Sequence, residues 1–282
     1  MLKTGELDMA AIATDSVAGL KSAGLRIVDW DGGTQAWEFV FYDLKNPKDY
    51  ALSDVRVRKA LSLGINRQEM ATNLFGGYAK PSAVFRVPPT AYFYDATVLK
   101  PDPYDPEGAE KLMADAGFAN GFPLKLWEMG AGGPMSTINN ALAGYWRKIG
   151  INVDLVPRTY DTTLFIPIQK PEVWGTLWCN ISAGGLFNFE GMPSHHSQKS
   201  SAKNNVDPRL DQLIDTVPLT ADLTEKKKMA LEAALLVKSD YASIAVLDVR
   251  SLVAIGSKVG GFTPINGMGA LAPAYQTTTH AK

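Results

Sequence analysis

The 282-residue sequence holds one cysteine, Cys179, and three histidines. One cysteine excludes an intrachain disulfide, and with no histidine near it in sequence Cys179 reads as a buried structural thiol, not a nucleophile beside a base. Long apolar runs are missing too. Nothing approaches the roughly 20 consecutive apolar residues of a membrane helix, and runs such as Ser243–Leu247 are strand-sized. Net charge is close to zero: 28 Lys and Arg against 29 Asp and Glu leave −1, so no global field would hold nucleic acid or an anionic membrane. The opening Met1–Glu6 has neither the apolar centre nor the small-residue cleavage site of an export signal.

What is present, 46% hydrophobic and 20% charged residues, suits one large or two modest folded cores. Leu25–Val28 and Trp37–Tyr42 read as strands. Two helices follow, the second opened by Asn66 with Glu69 three residues on and stopped by Gly76–Gly77. Six prolines between Ala79 and Pro106 predict a long surface loop. Asp105–Pro106 then opens an amphipathic helix through Ala109, Leu112, Met113 and Ala116, closed by Gly117. A strand at Leu124–Trp127, a helix capped by Ser136 and ended by Gly150, and an alternating strand from Ile151 to Leu155 form a strand–helix–strand succession. That order predicts a βαβ unit in an α/β lobe. Further elements are expected at Val173–Trp178, Pro208–Val217, from an Asp222/Glu225 cap to Lys238, and at Ser243–Leu247.

Five segments in order, LKTGELDMA (2–10), SDVRVRKALSLGINRQEM (53–70), YDPEGAEKLMADAGF (104–118), YWRKIGINVDLVPRTYDTTL (145–164) and VDPRLDQLID (206–215), give the chain its resemblance to family 5 extracellular solute-binding proteins. These are the receptors of peptide, nickel and opine ABC importers. The resemblance implies an α/β fold of the periplasmic-binding-protein type II, large cluster C form, with most of lobe one lying before Leu2. It implies lobe-one remnants at residues 1–38 and 248–282 and lobe two at 39–247. Ile27, Val28 and Phe262 are then expected to be poorly covered. Also implied are a monomer serving ABC permease subunits, and a periplasmic or extracellular, lipid-anchored location for the full-length form.

By the same resemblance, ligand meets two loops, after the strands ending in Leu126–Met129 and Leu177–Asn180. The candidate ligand-binding residues are Trp127, Glu128, Gly130, Gly133, Trp178, Asn180 and Ser182. The dipeptide-binding branch carries an arginine in the first loop and an aspartate in the second. Here stand Gly130–Gly133 and Ile181–Gly185, so a dipeptide's charged termini would go unpaired at about 1–3 kcal/mol each. A longer peptide held by its backbone, or a less charged solute, is expected instead. No cofactor, metal or catalytic residue is expected.

Blander readings stand beside these. Both tryptophans could be core packing, and Gly130–Gly133, with no Lys-Ser/Thr after it, a flexible turn. His195–His196 without placed partners reads as solvated loop, and Lys226–Lys228 as a solvated helix face. An α/β hydrolase or ligase would need a nucleophile and base that three histidines and one cysteine do not assemble. A non-transport fragment that binds partners through exposed lobe-one remnants is the other alternative.

Overall fold

Short polar side chains set the helix starts. The computed structural model describes residues 1–41, 51–84, 87–129, 133–158, 177–183, 189, 197, 207–264 and 279–280. In it the Asn66 side chain precedes α3 (Arg67–Phe75), accepting from Glu69 N and donating to Glu69 Oε2, both at 3.0 Å. Asp54 caps α2 (Val55–Leu63) and Asp105 caps α4 (Pro106–Asp115), accepting from Arg56 N at 2.8 Å and Gly108 N at 2.9 Å. The same device opens α6 (Pro208–Thr216) at Asp207 and α7 (Leu223–Asp240) at Asp222. Each cap satisfies an otherwise orphaned backbone donor and contributes on the order of 1 kcal/mol. One expected cap is corrected: α5 (Gly133–Lys148) begins at Gly133, which puts Ser136 inside its first turn. Pro134 suits that earlier start, since the first helical turn has no use for its missing N–H.

A seven-stranded mixed sheet carries these helices. It comprises β1 (Met9–Ala11), β2 (Arg26–Phe41), β3 (Ala79–Pro81), β4 (Pro123–Met129), β5 (Asn152–Arg158), β6 (Leu177–Ala183) and β7 (Ser243–Ile255). Its order is β1-β7-β2-β6-β4-β5, with β3 also paired to β7. The strands β4, β5 and β6 run parallel, and β4–α5–β5 is the expected crossover unit. Gly121 and Gly150 touch where β4 and β5 begin. Both hold positive φ (70° and 85°), and a Cβ on Gly121 would overlap the Gly150 carbonyl oxygen.

The long β2 differs from the sequence expectation of two separate strands. Asp31–Thr34, turn-like by composition, stays within one strand because β7 pairs with it on both sides of that stretch. Register slips there: Trp30 faces Ser251, but Gln35 faces Val249. Five steps along β2 thus match two along β7.

One continuous apolar core lies among α2–α7 and strands β4, β5 and β7, with Trp146 fully buried and its Nε1 donating to Leu61 O at 2.9 Å. Two buried arginines tie this core together. Arg58 donates to the Asp240 and Tyr241 carbonyls at the end of α7 and to the Leu52 and Ser53 carbonyls before α2. Arg67 donates to Ala245 O, Ser62 O and Ser62 Oγ. Burial lowers the Arg67 pKa to about 10, and the guanidinium stays charged at neutral pH. Cations at helix carbonyl ends also complement the helix dipole.

Near β1 and the first half of β2 the core divides in two. Trp30, Val253, Ile255 and Phe262 cluster on one face of the sheet, and Leu20, Leu25 and Ala254 on the other. The expectation that Phe262 is poorly covered is corrected. Its ring meets Trp30 edge-on at 6.2 Å and it is buried, while Val28 and Ile27 are half-buried, one against each cluster.

Candidate functional site

Parallel strands end on one side of a sheet, and that edge is where open α/β sheets bind ligands. Here β4 and β6 are parallel neighbours, and their register pairs Leu126 with Leu177 and Trp127 with Trp178. The two tryptophans singled out from sequence are therefore lateral neighbours along the backbone. Trp127 is buried. Its packing agrees with the blander reading of that side chain, but its place one residue from the buried Glu128 keeps it at the strand end.

Strand β6 continues to Ala183, so Ser182 is a strand residue and not a loop residue as expected, and Asn180 lies within the strand instead of ending it. The cause is non-local: β2 runs antiparallel beside β6, setting Glu38 opposite Asn180 and Ala36 opposite Ser182. Cys179 sits in the same strand opposite Phe39. Gly133 is the first residue of α5. Gly130, His195 and His196 lie outside the described residues.

Glu128 points a carboxylate into the layer between β4 and α5, where it is only 5% exposed. Asn139 of α5, fully buried, donates Nδ2 to Glu128 Oε1 at 3.2 Å. The Asn139 Oδ1 has no hydrogen-bond partner. An orphaned buried acceptor costs about 1–3 kcal/mol, so the end of β4 combines an acceptor carboxylate with an unsatisfied amide oxygen. Sequence reasoning missed Asn139. The available signal was its spacing, since it shares the 139, 142, 143, 146 stripe with Leu142, Ala143 and Trp146, all buried.

What the end of β4 holds is a buried tryptophan beside two hydrogen-bonding side chains, Glu128 and Asn139. Among the described residues, no group of three or more His, Cys, Asp or Glu side chains is placed to hold a metal ion. None of the described helices is long and apolar enough to cross a membrane.

Comparison with known proteins adds to this geometry. Over 120 residues the chain is 35% identical to di/tripeptide-binding protein 1 of Pseudomonas aeruginosa, which covers 41% of this chain and 22% of that one. It is 34% identical over 129 residues to the glutathione-binding protein GsiB of Salmonella typhi, covering 45% and 24%. Among solved structures, the substrate-binding protein CtaP of Listeria monocytogenes superposes with a TM-score of 0.84 at 19% identity, covering all of this chain and 57% of that one. The periplasmic binding protein DppA of Helicobacter pylori, solved with the peptide STSA, gives 0.79 at 18%, covering all of this chain and 54% of that one. This chain thus spans a little over half the length of those solved chains. Residues 1–192 match the family model for the middle part of bacterial extracellular solute-binding proteins, family 5, and the chain belongs to that family.

Proposed function

We propose that this chain forms most of one lobe, and part of the second, of an ABC-importer receptor that takes up an oligopeptide or similar small solute and passes it to a permease. The single observation that carries the reading is the pairing of Trp127, near the carboxyl end of β4, with Trp178 of the parallel strand β6, beside the buried Glu128. Aromatic residues beside the end of a parallel strand suit an apolar ligand wall, and strand-end backbone offers hydrogen bonds to a peptide main chain. Trp127, Glu128, Gly130, Gly133, Trp178, Asn180 and Ser182 form the proposed ligand wall. That relatives carry the names of di- and tripeptide-binding and glutathione-binding proteins supports a peptide-like ligand.

Lobe two is proposed to run from residue 39 to 247, flanked by lobe-one pieces at 1–38 and 248–282. The break in register between β2 and β7 lies close to both boundaries, which supports bending there when two lobes close on a ligand. The complete receptor would work outside the cytoplasmic membrane, as a monomer and without chemistry on its ligand.

Calorimetric titration of the chain against a panel of peptides and small solutes, with thermal melts alongside, tests this. A saturating ligand is expected to raise stability by about 2.7 kcal/mol at a hundredfold excess over its Kd, and the Trp127→Ala substitution to weaken it. A cooperative melt unchanged by the entire panel would overturn binding by this lobe alone.

A further inference from the structure

Behind the proline-rich loop, Ser62, Asp102, Lys238, Tyr241 and Ser243 line a small cavity together with apolar neighbours that include Val84 and Val237. Asp102 stands at its centre of charge. Its Oδ2 accepts from Ser62 Oγ at 2.6 Å, and its Oδ1 accepts from Lys238 Nζ at 3.0 Å and from Tyr241 OH at 3.4 Å. Ser62 Oγ in turn accepts from the buried Arg67 at 2.7 Å. The Ser243 hydroxyl, on a residue only 7% exposed, has no hydrogen-bond partner, and neither does the buried Ser82 hydroxyl next to the lining residue Ala83.

We infer that this cavity is a binding site for one ordered water molecule, which joins Ser243 to the Asp102–Lys238 ion pair and so fastens the proline-rich loop to the start of β7. Size decides the class of ligand. The space open to a water's centre is about 10 Å³, which is the lower limit for a single water and far too small for phosphate, sulfate or an organic carboxylate. Charge decides against a bare ion, because Asp102 repels an anion and Lys238 repels a cation. A water fits both: its hydrogens go to the Asp102 carboxylate and Ser243 Oγ, and its lone pairs accept from Lys238 Nζ. It would satisfy the orphaned serine, as buried waters do for polar groups that the chain leaves unpaired.

A crystal structure of the 282-residue chain at a resolution that shows ordered water, with a parallel bromide soak, tests the site. One peak within hydrogen-bond distance of Ser243 and Asp102, with no anomalous signal after the soak, is expected. An empty cavity overturns the inference, and so does a bromide peak. The Ser243→Val variant should lose the peak while keeping the Asp102–Lys238 bond, and an undisturbed peak there would overturn the part assigned to Ser243. Should that variant not fold, the map of the unchanged protein decides alone.

Discussion

The two ends of β7 have opposite surroundings. From Ser243 to Val249 the strand is buried among helices of one large core, whereas from Val253 to Ile255 successive residues feed two separate small clusters on opposite faces. The first end draws stability from many neighbours and from buried charge, and the second from a few rings and short side chains. Cohesion therefore falls along a single continuous strand, and local opening should follow that gradient.

The strongest way to break the contrast is Trp146→Ala, which removes the largest fully buried side chain and the partner of Leu61 O. A loss of about 3–5 kcal/mol in denaturant unfolding is expected, felt across the whole large core. Asp102→Asn comes next, at about 1–3 kcal/mol near neutral pH. Burial alone would raise the Asp102 pKa, but the Ser62 hydrogen bond and the charges of Lys238 and Arg67 outweigh it and hold it below the usual value. A carboxylate depressed in the folded state stabilises above its unfolded pKa of about 3.9 and loses that contribution as pH falls through the folded value. The gap between variant and parent should accordingly be constant from pH 7 to about 5 and narrow below about 4, read from urea midpoints at each pH.

Phe262→Ala, in the small cluster, should cost about 1–2 kcal/mol, less than Trp146→Ala because little else packs there. Its effect should be local: faster amide hydrogen exchange at 251–255 with little change at 243–249. Equal acceleration at both ends would show that the strand opens as one unit. Smallest of all, Leu219→Ser at an 84% exposed position should move stability by less than about 0.5 kcal/mol.

Much of this was legible in the sequence, and what was legible was local. Asn66 with Glu69, Asp105 before Pro106 and Asp222 with Glu225 act within one helical turn, and the structure has all three caps. The βαβ unit followed from spacing alone. What escaped was decided by distant partners. Nothing near Asp31–Thr34 tells that β7 holds it within a strand, and nothing near Asn180 tells that β2 extends β6 past it. Arg58 and Arg67 sit in the very block that carries the family resemblance. Their carbonyl partners at 240–241 and 245 lie about 180 residues away, beyond the reach of any pattern read in a short window. For the candidate site, the family resemblance pointed to Trp127 and Trp178, whereas Asn139, legible only as a polar member of a buried helical stripe, gained its meaning from the contact with Glu128.

The slip in register between β2 and β7 bears on how the molecule can deform. Two strands in unbroken register share any bend equally, like laminated strips. Here β2 advances five residues where β7 advances two, so the two strands cannot share a bend residue for residue. A second shift, between Trp37 and Glu38, runs the other way, with one step along β2 against two along β7, so the pair leaves common register twice within a few residues. The Arg250–Asp29 ion pair, 2.7 Å across the two strands, stands beside the first of these shifts and ties the strands together where their backbones leave register.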